Sequence, residues 1–523
     1  MKKFIDKVQV KLDGSGGGTS ASSAARNPIT PRPPSTSEPS RRQLFLYRAQ
    51  SGVNLGSLFS LEVWLTPSLF EGVKDAKSEH DLVRSLPADQ AKQRLERHWK
   101  TFVDEGDWNW MKGQGINTVR LPISYFHYLA GHPDEAVRGL LKGTEYEAYA
   151  PIYAAAYGAI QDIVKTANRF DMGVLIDLHA APGAQNADGH SGLSQGGPQF
   201  WTGSKAKWNQ QRTVEILVAM ARDFGRSENV VGLELLNEPQ NSNRLQGWYD
   251  EALGAIRKES DASLPIYVGD GWDTNHYTGF TKRHNDSSSE GDGFVVVDHH
   301  LYRCFTKEHH DLTASQHAES LEGTNPTSTW LQRMSAQSNI SIIIGEWSAA
   351  LHHTSFKGQN KEEGQSRFAT AQLRAFQRKC SGHFFWTLKK EGGPDRGWSL
   401  YSAVEATVLP KGGLQLSRPG GADASLAEKG TQLCKEKYQS HRTYWDSHGG
   451  KADEHWRYEK GFQQGWSDAT FFYSRAGAPI GFRGPWAAMR TAAHASEKGG
   501  SHAWEYQHGM QQALEFFQRT IEA

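Results

Sequence analysis

From residue 43 onward the chain alternates short apolar runs with longer amphipathic ones, the pattern of repeated strand-helix units. Eight runs read as strands: 52–55, 118–122, 173–179, 231–237, 265–269, 294–300, 340–346 and 383–388. Between them, helical spacing of apolar positions marks 89–110, 146–170, 208–224, 243–259, 326–337 and 362–379. Eight strands with intervening helices over roughly 350 residues predict an α/β fold, a (β/α)8 barrel. An open doubly wound sheet is the alternative. It has less support, because no Gly-x-Gly-x-x-Gly turn follows the first strand to mark a dinucleotide site.

The pattern changes at both flanks. Residues 13–42 are rich in Gly, Ser, Thr and Pro, cannot bury enough apolar surface to order themselves, and predict a flexible segment. Residues 2–12 place Phe4, Ile5, Val8 and Leu12 near helical spacing among lysines. A solvated tail is the simpler reading, and contact with a membrane surface the sharper one. Past Ser417, Pro419-Gly420-Gly421 marks a boundary. Residues 424–473 then read as helix broken at Gly449-Gly450, and 503–523 as a terminal helix. The expected organisation is a flexible segment (1–42), a barrel (43–417) and a helical extension (418–523).

Within the extension, the stretch from Trp456 to Gln464 is echoed from Trp504 to Gln512 at Trp, Tyr, Gly and both Gln. Two similar helices packed against each other, or against the barrel, explain the echo; self-association is the alternative, and the oligomeric state stays open.

Chemistry enters at the strand ends. The run Val230 to Leu236 closes on Asn237-Glu238-Pro239, where proline stops the ladder and leaves Glu238 at the strand's C-terminal end. Alone, Glu238 is as readily a loop glutamate without a role. A second run, Ile340 to Gly345, ends in Glu346 in the same way, and a parallel barrel keeps its chemistry at that rim. Polar residues a core would not choose end further strands: Arg120, His179, His300 with Tyr302, and Trp386 beside them. The long insertion 180–197 rims the same face and predicts a functional loop, whereas 282–293 is so rich in Ser, Asp and Gly that mobility accounts for it.

Two carboxylates facing each other across a barrel mouth suit glycosidic cleavage. One protonates the departing oxygen while the other meets the oxocarbenium-like carbon, at roughly 5 Å in a retaining enzyme. Arg120 is expected to keep a nucleophilic carboxylate ionised, and burial beside a second carboxylate to raise the acid. Asn237 is placed to hold a sugar hydroxyl, Tyr302 to donate to the nucleophile, His179 and His300 to bind hydroxyls, and Trp386 to floor the ring.

Composition narrows the field. Lys plus Arg equal Asp plus Glu at 58 each, so net charge points to no nucleic acid. Cys304, Cys380 and Cys434 are odd in number and widely spaced, suggesting neither a disulfide framework nor a metal knuckle. The N-terminal stretch lacks a continuous apolar core and a cleavage site, and no run reaches about 20 apolar residues; a cytoplasmic location is the default expectation. No cofactor or metal is expected, since two carboxylates and water supply the chemistry.

Several ordered motifs carry a resemblance: Gly52-Val53-Asn54-Leu55-Gly56, Leu61-Glu62-Val63-Trp64, Val119-Arg120-Leu121-Pro122, Asp177-Leu178-His179 running to Gln185-Asn186, Leu236-Asn237-Glu238-Pro239, His299-His300-Leu301-Tyr302 and Gly345-Glu346-Trp347. Together they resemble the retaining (β/α)8 enzymes of glycoside hydrolase family five, most nearly the fungal exo-β-1,3-glucanases. The resemblance implies Glu238 as acid/base and Glu346 as nucleophile. It also implies a substrate site formed by Arg120, His179, Asn186, Asn237, His300, Tyr302 and Trp386, with Glu62 on the terminal sugar of an exo-acting pocket. It further implies a β-glucan oligosaccharide or related β-glucoside as substrate. The sequence departs from the family in its flanks and in the Leu388 to Pro394 loop, which lines the aglycone side. A glycolipid, a steryl glucoside or a diglycosylated small molecule therefore stands beside β-1,3-glucan, and a catalytically silent carbohydrate-binding barrel is the reading from another class.

Overall fold

Eight parallel strands follow one another in chain order around a closed barrel: β1 (Gln50–Asn54), β2 (Thr118–Ser124), β3 (Gly173–Ala180), β4 (Val230–Glu234), β5 (Ile266–Gly269), β6 (Val295–Arg303), β7 (Ile342–Leu351) and β8 (Gly382–Phe385). The last pairs with the first, Gly52 opposite Phe384. The computed structural model describes residues 36–260, 263–287, 294–410, 412–414 and 424–522. The basic stretch 2–12, most of the Gly/Pro-rich segment and the boundary at Pro419-Gly420-Gly421 lie outside them.

Every predicted strand lies on one of these elements, with ends that shift for local reasons. β4 stops at Glu234, before Asn237-Glu238-Pro239, whereas β6 and β7 continue past the expected ends to Arg303 and Leu351. The strands are buried on both faces, and small residues make room inside. A Cβ on Gly232 would stand 2.2 Å from the Tyr267 ring, and one on Gly345 would stand 2.1 Å from the Asp298 carboxylate.

The helices are α1 (Arg41–Tyr47), α2 (Ala88–Thr101), α3 (Glu105–Gly113), α4 (Ala156–Arg169), α5 (Ala206–Phe224), α6 (Leu245–Glu259), α7 (Thr274–Ser287), α8 (Pro326–Gln337), α9 (Lys361–Lys379), α10 (Ala424–Ser447), α11 (Trp456–Arg475), α12 (Arg483–Lys498) and α13 (Ala503–Glu522), with several shorter turns between them. The single helix expected over 89–110 is two, because Asp104 and Asp107 form a capping box that restarts the chain at α3. The expected helix 146–170 opens as a tighter turn, Glu147–Tyr153, around Pro151, before α4. The stretch 282–293, read as mobile, is helical up to Ser287 as the end of α7, and 288–293 lie outside the described residues. The chain is already helical at Arg41, where Ser40 and Gln43 cap α1 reciprocally.

The C-terminal helices close the barrel's N-terminal end. Phe45, Leu46 and Tyr47 of α1, Leu175, Tyr267, Ile343 and Phe384 of the strands, and Phe462, Trp466, Trp486 and Phe517 of the extension belong to one buried apolar cluster. The backbone joins there too: Ala49 N–H donates to Pro479 O at 2.8 Å and Gly481 N–H to Tyr47 O at 2.9 Å.

The sequence echo lies on α11 and α13, which run side by side. A Cβ on Gly461 would come within 2.0 Å of Tyr506 O, and one on Gly509 within 2.0 Å of Tyr458 O. Each helix uses its echoed glycine to admit the other's backbone, so the echo has an intramolecular cause. No helix among the described residues is long and apolar enough to cross a membrane.

Candidate active site

Arg120 is the buried centre of the site. It stands in β2, is fully buried, and its guanidinium reaches five side chains: Glu234 Oε2 at 2.8 Å, Asn54 Oδ1 at 3.1 Å, Glu346 Oε1 at 2.9 Å, Asn237 Oδ1 at 2.9 Å and Asp177 Oδ2 at 3.1 Å. A fixed five-donor fork suits this role, which a lysine point charge would not fill. Burial alone would disfavour its charge, but Asp177, Glu234, Glu346 and Asp298 raise its pKa well above the usual arginine value.

Both oxygens of Glu346 are engaged. Arg120 Nη1 holds Oε1, and the Tyr302 hydroxyl donates to Oε2 at 2.7 Å. His300 Nδ1 stands between the two glutamates, 2.8 Å from Glu238 Oε1 and 3.4 Å from Glu346 Oε2. Donor atoms of Glu238, His300 and Glu346 all lie within 4.8 Å of one another. The two carboxylates therefore approach at the separation a double displacement uses, about 5 Å, rather than the wider gap that admits a water between them.

The charge state of this trio differs from the expectation. Burial opposes a proton on His300, yet Glu346, Asp298 and Glu238 hold one there, raising it well above the ordinary histidine range. Burial would raise Glu238, but the hydrogen bond and charge of His300 overcome it and bring Glu238 down to about 2. Burial pushes Glu346 up to about 7 despite His300 and Arg120, with Glu238 adding repulsion. Arg120 was expected to keep Glu346 low and proximity to raise Glu238. The directions are reversed, because His300 sits closer to Glu238 and desolvation outweighs Arg120 at Glu346.

The loop after β3 fixes the backbone that carries Glu238. Gln185 Nε2 donates to Asn237 O at 3.0 Å and His179 O at 2.7 Å, and Asn186 Nδ2 donates to Glu238 O at 3.0 Å. Glu238 has φ of 41°, a left-handed conformation that a non-glycine residue adopts at a cost of about 1–3 kcal/mol. Asn186, expected on substrate, thus spends its amide on the Glu238 backbone and on His190, 3.1 Å away. Asn237 Nδ2, by contrast, is buried with no hydrogen-bond partner among the described residues, while its Oδ1 is fixed by Arg120.

His179 and Trp386 stack with ring centroids 5.8 Å apart and planes 6° from parallel. His179 Nδ1 is 2.6 Å from Asp177 Oδ2. Burial, followed by His190 and Arg120, drives its pKa well below 6.5 and keeps it neutral. Glu62 is half-buried, accepts from Trp64 Nε1 at 2.8 Å, and is raised by burial. On the other side of Tyr302, Trp398 and Phe305 stand 5.4 and 5.6 Å from its ring, and Trp64 lies 5.3 Å from Trp398.

Sequence reasoning missed Asn54, Asp177, Glu234, Asp298, Gln185 and His190. The three acids had a legible signal, an acidic residue inside an otherwise apolar strand, which demands a buried cation such as Arg120. Burial raises Asp177 to about 7 and Glu234 to about 8, against the pull of Arg120.

Residues 88–392 match the cellulase (glycosyl hydrolase family 5) family, and residues 426–521 match the glucan 1,3-beta-glucosidase 3 C-terminal domain. The chain is 32% identical over 481 residues to glucan 1,3-beta-glucosidase 3 of Schizosaccharomyces pombe, covering 90% of this chain and 96% of the relative. It is 30% identical to an uncharacterized glycosyl hydrolase of Saccharomyces cerevisiae, covering 94% and 95%. Among solved structures, the rutinosidase from Aspergillus niger superposes with a TM-score of 0.51 at 18% identity, covering 70% of this chain and 99% of that one.

Proposed function

The chain belongs to glycosyl hydrolase family 5 and is a glycoside hydrolase; from that premise we propose that it cleaves β-glucosidic bonds by a two-step displacement with retention. Glu346 is the nucleophile and Glu238 the acid/base. The observation that carries the reading is the pair of carboxylates with oxygens within 4.8 Å and His300 between them, Glu238 in the loop that follows β4 and Glu346 within β7 of a closed barrel.

In the first step Glu346 attacks the anomeric carbon while Glu238 protonates the departing oxygen, leaving a glycosyl ester on Glu346. In the second, Glu238 takes a proton from water, the water oxygen bonds to the anomeric carbon, and Glu346 leaves as carboxylate. The proton Glu238 needs is at hand on His300, one 2.8 Å hydrogen bond away. Transfer leaves His300 neutral and removes the charge that held Glu238 low. Arg120 and Tyr302 hold Glu346 in line, and Asn237 Nδ2 is free to bind the hydroxyl beside the anomeric carbon, a contact that strengthens in the transition state.

For the substrate, the relative in fission yeast named glucan 1,3-beta-glucosidase 3 supports β-1,3-glucan, and Glu62 is assigned to the terminal glucose of an exo-acting pocket. A second reading rests on the aromatic wall beside Tyr302. Phe305 is 66% exposed and Trp64 40%, so both offer open faces that suit an apolar aglycone as well as a second sugar ring. Hydrolysis of laminarin-type oligosaccharides, aryl β-glucosides and steryl or lipid glucosides, with the first product's anomer read by NMR, decides among them. β-Anomer from the best substrate is expected. An α-anomer overturns retention, and no turnover of any of them, with sugar binding intact, overturns the catalytic reading.

A further inference from the structure

We propose that His441, His455 and Glu505 in the C-terminal helices form a metal site for a zinc-class divalent cation. The three residues come from three places: α10, the position just before α11, and the first turn of α13. All are buried, with side-chain exposures of 1%, 0% and 0%. His455 Nδ1 and His441 Nε2 lie 2.9 and 3.2 Å from the same oxygen, Glu505 Oε2, and the three donor atoms are mutually within 4.8 Å. Ligands about 2.0–2.1 Å from a tetrahedral zinc stand roughly 3.3 Å apart, and two imidazoles with one carboxylate are an established zinc donor set.

The buried polar atoms are not all satisfied, since His455 Nε2 has no hydrogen-bond partner among the described residues in this arrangement. His455 faces a carboxylate on both sides: Glu505 Oε2 at Nδ1, and Asp446 Oδ1 at Nε2, 3.3 Å away. A neutral ring has one N–H, so one nitrogen would direct its lone pair at a carboxylate. Either a second proton or a metal on Nδ1 resolves this. With the metal, Nε2–H donates to Asp446, the carboxylate–histidine–metal arrangement that fixes ring orientation. Glu505 Oε1 and His441 Nδ1 are also buried without a hydrogen-bond partner, and no Lys or Arg among the described residues lies within ion-pair distance of Glu505. A fully buried carboxylate needs a cation.

The echoed half of the same bundle shows what a resident cation looks like. Tyr458 stacks on His441 at 4.1 Å, and its echo Tyr506 stacks on His494 at 4.1 Å. One residue earlier on each helix, Arg457 reaches His494 at 3.0 Å while Glu505 reaches His441. One half carries its own guanidinium; the other substitutes an acid and adds His455. The metal would pin the ends of α10, α11 and α13 together, and the separation of its ligands along the chain explains why no spacing motif announced it.

The test uses tag-free, full-length protein and Zn2+ or Co2+ alone. Expected are one zinc per chain retained through gel filtration, a fall in Tm on EDTA treatment restored by Zn2+, and visible ligand-field bands with Co2+. Zinc retention should be lost in Glu505→Gln and His441→Asn. Asp446→Asn, altering a side chain 43% exposed, should keep the fold and weaken zinc binding about tenfold. A wild-type chain that takes up no stoichiometric zinc and whose Tm ignores both EDTA and Zn2+ overturns the proposal. Zinc affinity unchanged in folded Glu505→Gln or Asp446→Asn overturns it as well.

Discussion

His300 Nδ1 lies 2.8 Å from Glu238 Oε1, so the proposed proton donor is bonded to a group that already holds a proton. The site is thus organised around one shared proton among Glu238, His300 and Glu346, and that sharing has kinetic consequences.

The first is the pH profile. Glu346 attacks only as carboxylate, and its pKa stands at about 7. Below that value it is protonated, so kcat/KM falls as pH drops through about 7, close to tenfold per unit on the acid limb. At higher pH it declines again as the trio loses its remaining proton, well above the usual histidine value. Steady-state kinetics on an aryl β-glucoside from pH 4 to about 10 check this; a rate already maximal at pH 5 disagrees.

Removing the Tyr302 hydroxyl should move that limb. Its hydrogen bond to Glu346 Oε2 favours the carboxylate, so Tyr302→Phe shifts the acid limb to higher pH. It also costs about one to two orders of magnitude in kcat/KM, the worth of a hydrogen bond to a charged group. An unchanged limb would show that the contact does not bear on Glu346.

Gln185 and Asn186 act through the Glu238 backbone. Asn186→Ala is expected to lower kcat more than it raises KM, because it frees a strained φ of 41° without touching the carboxylates. A pure KM effect would place Asn186 on the sugar instead.

The paired glycines carry a stability prediction. Gly461→Ala and Gly509→Ala each put a Cβ 2.0 Å from a facing carbonyl, so each should destabilise by about 1–3 kcal/mol and lower Tm measurably. Unaltered unfolding in both variants would mean the helices separate freely.

These relationships divide by how they were written into the chain. Glu238 and Glu346 were legible because a charged residue closing an apolar run, once before proline, is a local signal. Arg120, His300 and Tyr302 were legible as polar residues on strands. Asp177, Glu234 and Asp298 carried only half a signal, since an acid inside an apolar strand calls for a cation but does not say which until the barrel closes around Arg120. The reversed proton distribution was also out of reach, as it depends on His300 lying nearer one glutamate than the other. Helix α12 was hidden by Gly484-Pro485. Proline is tolerated in a first turn whose N–H groups lack helical partners, and glycine is there because a Cβ would stand 2.0 Å from Asn339 O. The echo offered mutual packing of the two helices as one of its readings, and α11 and α13 do pack on each other.

The most direct measurement is trapping with a 2-deoxy-2-fluoro-β-glucoside bearing a good leaving group, followed by peptide mapping by mass spectrometry. One covalent glycosyl adduct on the peptide containing Glu346, absent in Glu346→Gln, is the expected result. An adduct on Glu238, or full turnover by the Glu346→Gln variant, would contradict the assignment of Glu346 as the nucleophile.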